Sequence, residues 1–208
     1  MLPEPNSPTP SSNRIANMVF NLEYKVKILG FVGSLRRGSY NKALMRAAIE
    51  LVPDNAEIEV FDIATIPPFD QDFENDPAQI VKDFKAKIKA ADAVLIATPE
   101  YNYSIPGVLK NAIDSASRPR ADKVFDDKPV ALMSASVGKL GGARAQYHLR
   151  QSFVFLNMHP VNYPEVMLSQ AQQNIDENGK LTNEETRKLI RQLLEELVKW
   201  TKRLQQKT

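Results

Sequence analysis

KVKILGFVG, residues 25–33, is a short run rich in Val, Ile and Phe that ends at glycine. Unbroken apolar residues bounded by a turn signal describe a strand buried on both faces, as inside a parallel sheet. Working outward, NKALMRAAIELV (41–52) sets Leu44, Ala47, Ala48 and Leu51 at helical spacing, and Pro53 stops it. EIEVFDI (57–63) reads as a second strand, followed by a proline- and acid-rich loop through Pro77. Ile80, Val81, Phe84 and Ile88 mark a second helix, which leads into DAVLIATP (92–99), a third strand with the same continuous apolar character. A third helix is expected from Ile105 to about Ser117, with Val108, Leu109, Ala112 and Ile113 inward and Arg118-Pro119 ending it. KPVALMSAS (128–136) is the fourth strand, GARAQYHLRQSFVFL (142–156) the fourth helix and HPVNYPEVM (159–167) a short fifth strand. Last, EETRKLIRQLLEELVKWTKRL (184–204) carries Ile190, Leu193, Leu197 and Leu204 as the apolar stripe of a docking helix.

Strands alternating with helices at this spacing form an α/β, doubly wound parallel sheet. Five strands predict the flavodoxin-like order 2-1-3-4-5, in which ligands sit beyond the carboxyl ends of the strands at the point where the winding reverses. That geometry directs attention to the loops after the first and third strands. The organisation is one domain over residues 23–208, preceded by a Pro/Ser-rich tail at 1–22 that has no apolar period and reads as disordered. Met18 offers a second possible start.

Composition narrows the chemistry. The chain has 208 residues, 43% of them hydrophobic, and 27 Lys+Arg against 25 Asp+Glu leave a formal charge of +2. That balance is too even to be a footprint for nucleic acid. No apolar run approaches the roughly 20 residues of a membrane-spanning helix, so neither nucleic acid nor membrane is an expected partner, and a cytoplasmic protein is expected. With no cysteine there can be no disulfide, thiolate nucleophile or iron–sulfur cluster, so redox chemistry would need a borrowed cofactor. Asp70, Asp72 and Glu74 alternate like a calcium loop, but Asn75 and Val81 replace the required Gly and Glu. Gly138-Lys139 is followed by Leu140 where a phosphate loop needs Ser or Thr. His148 and His159 have no metal-ligand spacing, and no G-x-S-x-G elbow is present.

The first loop, GSLRRGSYN (33–41), lies between a buried strand and a helix start, which makes it an anion site. The hydroxyls of Ser34 and Ser39, the Asn41 amide, backbone N–H groups and Arg36 converge there and suit one phosphate. The competing reading is that Ser39 or Asn41 caps the helix while the arginines are solvated. The third-strand loop, TPEYNYSIPG (98–107), offers Tyr101, Asn102 and Tyr103 to a flat heteroaromatic ligand, with Ser104 as N-cap and Pro106 in the first helical turn. Either tyrosine could instead simply cover the helix start.

Together, GSLRRGSYN and PEYNYSIPGVLKNAID resemble the signature loops of the NADPH-dependent FMN reductases, a family that includes quinone, azo-dye and chromate reductases. The likeness runs from Val26 to about Trp200. It implies that Ser34, Arg36, Ser39 and Asn41 hold the FMN phosphate, with Tyr40 also among the cofactor-binding residues. It further implies that Pro99, Glu100, Tyr101 and Asn102 line the ribityl chain and flavin edge. A third family loop corresponds to residues 134–142, whose small residues, Ser136 and Gly138 among them, would let backbone approach the ring. Ser115 stands where many relatives have tryptophan, so the substrate mouth is expected to differ in shape.

The activity the resemblance implies is hydride transfer from NADPH or NADH through FMN to a small acceptor such as a quinone, azo compound, free flavin or oxidised metal. No catalytic side chain is needed, since the flavin carries the chemistry. The rival is a flavodoxin-like carrier passing single electrons to protein partners; a pI near 8.7 weighs against it, because such carriers are typically acidic. Family members form homodimers or homotetramers, and Arg144, Tyr147, His148 and Gln151 offer one ring-bearing helix face for such an assembly.

Overall fold

The computed structural model describes residues 24–206, so the expected tail at 1–22 lies outside the described residues. Strand β1 (Val26–Val32) leads into helix α1 (Tyr40–Leu51) and strand β2 (Ala56–Val60). Helix α2 (Gln79–Ala90), strand β3 (Ala93–Thr98), helix α3 (Gly107–Ala116), strand β4 (Pro129–Ala135) and helix α4 (Ala143–Leu156) follow. The chain closes with β5 (His159–Pro160), β6 (Val166–Leu168), α5 (Ala171–Asn174) and the long helix α6 (Glu184–Gln205).

The strands pair in parallel in the order β2-β1-β3-β4-β5, and β6 also pairs with β4. The predicted order therefore holds, and the expected fifth strand is two short pieces lying successively along β4. Pro160 and Pro164 explain the break, because proline supplies no N–H to a ladder. Every residue of β3 and β4 is buried, as a sheet covered on both faces requires.

Two apolar layers follow from the period of the strands. On one face Ile28, Leu95 and Met133 meet Leu44 and Ala48 of α1 and Ile190, Leu193 and Leu197 of α6. On the other, Phe31, Ile96 and Leu132 meet Phe84 of α2, Leu109 and Ile113 of α3, and Phe153 of α4. Phe31 and Phe84 are wholly buried and meet edge to face, with ring centroids 5.3 Å apart. Truncating such a ring to alanine costs about 3–5 kcal/mol. Helix α6 is fastened by its N-cap Asn183, which accepts from the Thr186 N–H at 2.8 Å, and by acids in its first turn and bases in its last.

Helix ends depart from the sequence reading where proline intervenes. Val52, just before Pro53, is extended, so α1 stops at Leu51. Helix α3 begins at Gly107 with Pro106 as its N-cap and no side-chain cap, which corrects the assignment of Ser104. The Ser104 hydroxyl instead shares a hydrogen bond with His148 Nδ1 at 2.6 Å. Its backbone closes a tight turn: the N–H groups of Tyr101 and Ser104 each donate to the other's carbonyl at 3.0 Å.

Candidate active site

The loops after β1, β3 and β4 emerge side by side at the carboxyl end of the sheet, and named contacts tie them together. Gly33 N–H donates to the Ala97 carbonyl at 2.8 Å, continuing the β1–β3 ladder into the first loop. A Cβ on Gly33 would stand 3.1 Å from Leu109 Cδ2 and 3.2 Å from Thr98 Oγ1, so glycine lets this loop lie against β3 and α3. Asn41, 2% exposed, spans to β4: its amide donates to the Ala135 carbonyl at 3.0 Å and accepts from the Ala135 N–H at 2.9 Å. Ser39 is buried and caps α1, its hydroxyl accepting from the Lys42 N–H at 3.4 Å.

Both sides of the sequence reading of this loop thus find a place. Asn41 and Ser39 organise the backbone, while the N–H groups of Tyr40 and Asn41 open the helix without intrahelical acceptors. Ser34 is buried. Arg36 is exposed, with its guanidinium carbon 4.9 Å from the Tyr40 ring centroid, so the ring holds a cation over the helix start. Among the described residues Arg36 has no acidic partner. Free N–H groups, the positive end of a helix and an unpaired guanidinium fit a phosphate.

The third-strand loop presents flat surfaces. Asn102 and Tyr103 take positive φ values of 51° and 67° at the tip of the Tyr101–Ser104 turn, leaving Tyr101 52% and Tyr103 72% exposed. For a tyrosine this backbone is strained, and a neighbour holds it. The Arg144 guanidinium lies 3.6 Å from the Tyr103 ring centroid. Arg144 also forms an ion pair with Glu100, whose other carboxylate oxygen accepts from the Arg144 N–H at 3.1 Å. The side-chain hydrogen bond from the guanidinium to Glu100 Oε1, with the carboxylate's charge beside it, holds the guanidinium above its ordinary range. Glu100 therefore joins the β3 loop to the start of α4, and Pro99 precedes it with its carbonyl accepting from the Thr98 hydroxyl at 3.0 Å. Sequence reading placed Arg144 only on an assembly face; the Glu100 partnership spans 44 residues and leaves no local pattern.

In the β4 loop the fold itself demands glycine at some positions and leaves others free. Ser136 accepts from the Gly138 N–H at 3.1 Å, and a Cβ on Gly138 would meet only Ser136 Oγ at 3.6 Å, so no packing there demands glycine. Gly141 and Gly142 have φ of 59° and 90°, with a Cβ 2.5 Å from the Met167 oxygen and 2.7 Å from Ser134 Cβ respectively. Those two glycines let the backbone lie against Met167 and Ser134, and Gly-Gly before a helix is the visible signal of that packing. Ser134 donates to the Gly141 carbonyl at 2.6 Å and accepts from the wholly buried Gln146 amide at 2.9 Å, locking the turn. Among the described residues no group of His, Asp or Glu could hold a metal ion, and no helix is long and apolar enough to cross a membrane.

Half-exposed aromatic rings and free anion-binding groups stand on neighbouring loops at one end of the sheet. Residues 26–173 match the family described as NADPH-dependent FMN reductase. An NAD(P)H-dependent FMN reductase of Pseudomonas aeruginosa is 52% identical over 180 residues, covering 86% of this chain and 97% of that protein. A 2-hydroxy-1,4-benzoquinone reductase of a Burkholderia species is 41% identical over 177 residues, covering 85% and 97%. Among solved structures, the flavoenzyme NAD(P)H:(acceptor) oxidoreductase FerB of Paracoccus denitrificans superposes with a TM-score of 0.79 at 32% identity, covering 86% of this chain and 98% of that one. By its fold, its paired loops and these relatives, the chain belongs to the NADPH-dependent FMN reductase family.

Proposed function

We propose that this oxidoreductase uses NAD(P)H to reduce FMN held across the three loops, and that quinones are the acceptor class it serves. FMN and NAD(P)H are the cofactor and co-substrate of its family, and relatives 40–52% identical include quinone reductases. The observation that carries the assignment of the site is the joining of the three loops at one sheet end by Asn41 and Glu100. In this reading Ser34, Arg36, Ser39, Tyr40 and Asn41 form the phosphate end. Arg36 and the α1 N–H groups neutralise the dianion, and Asn41 fixes their position. Pro99, Glu100, Tyr101 and Asn102 border the ribityl chain and ring, and Ser136 and Gly138 lie under its far edge. FMN held by these residues would supply the acceptance of a hydride from nicotinamide and the onward transfer of its electrons. The chain's own part is to orient the ring, keep one face open and offer N–H groups where negative charge develops. Azo compounds, free flavin and oxidised metals are further acceptors that ask only for access to the ring. A single-electron carrier would need no nicotinamide, whereas the relatives' NAD(P)H-dependent activities favour the reductase.

The face of α4 that bears Arg144, Tyr147, His148 and Gln151 is our assembly surface: Tyr147 is 51% exposed, and Val154 and Phe155, 84% and 60% exposed, extend it toward the helix end. A homodimer or homotetramer built there would cover the ring. Light scattering should give two or four times 23.4 kDa, and a mass at the monomer value removes the shared site. Purified protein should be yellow with one FMN per chain, bleach anaerobically with NADPH and recolour with a benzoquinone. Colourless protein that also rejects added FMN ends the proposal.

A further inference from the structure

A cavity of about 370 Å³ lies between α3 and the loop of residues 67–78. None of the residues assigned to the flavin lines it. Its wall is mainly apolar, from Pro68, Phe69, Phe73 and Val81, closed on the α3 side by Ser115. The wall is fixed before any ligand arrives. The Asn111 side chain accepts from the Phe69 N–H at 2.7 Å and donates to the Pro67 carbonyl at 2.9 Å, pinning the loop to α3. Asp70 accepts from the Asp72 N–H at 3.0 Å, and Asp76 pairs with Lys82 at 2.7 Å. Prolines at 67, 68 and 77 add rigidity and bring no N–H of their own.

Ser115 is the anomaly. It is 6% exposed on the buried side of α3, and its hydroxyl has no hydrogen-bond partner. A helical serine can donate to the carbonyl one turn back, and this one does not. Buried hydroxyls are nearly always paired, so an orphan in the wall of a cavity marks a place where a partner is missing. One χ1 rotation separates its staggered positions and suffices to present it to a ligand. The rim carries the carboxylates of Asp70, Glu74 and Asp76, which repel anions, and the rings of Phe69 and Phe73 are 36% and 64% exposed, offering flat walls.

The geometry points to an accessory binding site for a small neutral aromatic molecule with one hydrogen-bonding group, of the phenol or indole class. A volume near the lower end of ligand pockets suits one or two fused rings. The ring lies among Pro68, Phe73 and Val81, and its polar group pairs with the Ser115 hydroxyl. Ser115, expected from the sequence at the substrate mouth, instead lines this cavity apart from every residue assigned to the flavin, and the site is tested independently of the flavin reading because its occupancy is read from the ligand itself.

The test uses the FMN-loaded full chain with 4-fluorophenol, 5-fluoroindole and 4-fluorobenzoate, followed by fluorine NMR. Both neutral compounds should bind saturably at one per chain, and the anionic benzoate at least tenfold more weakly. Ser115→Trp fills the cavity and should abolish binding. Ser115→Ala keeps the apolar space and should weaken it about three- to tenfold, as loss of one hydrogen bond does. Phe73→Ala removes a largely exposed ring that the fold does not need, so it decides the matter even where the tryptophan variant fails to fold; several-fold weakening is expected. Tyr101→Ala should leave the affinity unchanged, which separates this cavity from stacking on the flavin. No saturable binding, the outcome also produced by a second copy plugging the cavity, overturns the inference. So does binding that survives both Ser115→Trp and Phe73→Ala, or equal affinity for the benzoate.

Discussion

Replacing Asn41 by alanine tests how the site is built. The side chain is 2% exposed and satisfies both the N–H and the C=O of Ala135, at 2.9 and 3.0 Å, where β4 ends and its loop begins. Alanine leaves both backbone groups buried and unpaired. Each orphan costs about 1–3 kcal/mol, so the pair amounts to about 2–6 kcal/mol. For a domain of this size that corresponds to a fall of about 5–20 °C in melting temperature. Urea unfolding of the FMN-free protein should show the loss as a lower midpoint at constant slope, the mark of a change in native stability. Asn41→Asp sharpens the test: it keeps an acceptor for the Ala135 N–H but sets a carboxylate against the Ala135 carbonyl, so it should do no better than alanine. A loss below about 0.5 kcal/mol in both variants, the scale of an ordinary surface change, would refute the claim that Asn41 joins the first and third site loops.

Arg36→Ala should weaken FMN binding about 10- to 150-fold, the range for one charge-assisted contact, measured by quenching of flavin fluorescence; unchanged affinity means that the arginine is solvated surface. Gly142→Ala should destabilise the fold by about 2–5 kcal/mol through a left-handed φ and a 2.7 Å approach to Ser134 Cβ, whereas Gly138→Ala should stay within about 0.5 kcal/mol in the same urea titration. Asp122, hydrogen-bonded by the nearly buried Lys85, has its carboxyl held below the usual range, so its contribution is complete above about pH 4 and disappears as pH falls through its folded-state value. Acid unfolding of Asp122→Asn should therefore have a shallower limb than the parent, and identical curves would show the pair to be idle.

The strands and long helices were legible because their apolar periods are uninterrupted, and so was the order of the sheet. What escaped was set by partners distant in sequence. Glu100 and Arg144 meet across 44 residues, and Asn41 and Ala135 across 94, so no window of sequence displays either contact. Ser104 looked like an N-cap because serine favours that position, but a tight turn consumed its backbone and His148 its hydroxyl. The residue types of the loops predict a cofactor cradle; which of those residues shape the backbone and which stay exposed is decided by contacts that only the folded chain displays. Helix α5, four residues without a side-chain cap, carried no periodic signal.

The two margins of the sheet bear on how copies of the chain can meet. β5 and β6 span two and three residues, contain Pro160 and are separated by a bend through Pro164. At the opposite margin β2 turns Glu57 and Glu59 to solvent, the latter paired with Lys87 at 2.6 Å. Neither border offers a long, flat, uncharged row of amide groups for a neighbouring strand. Sheets of adjacent molecules are thereby discouraged from fusing into a continuous ribbon at high concentration, and self-association is channelled toward helical faces, where contact can end at a closed number of subunits.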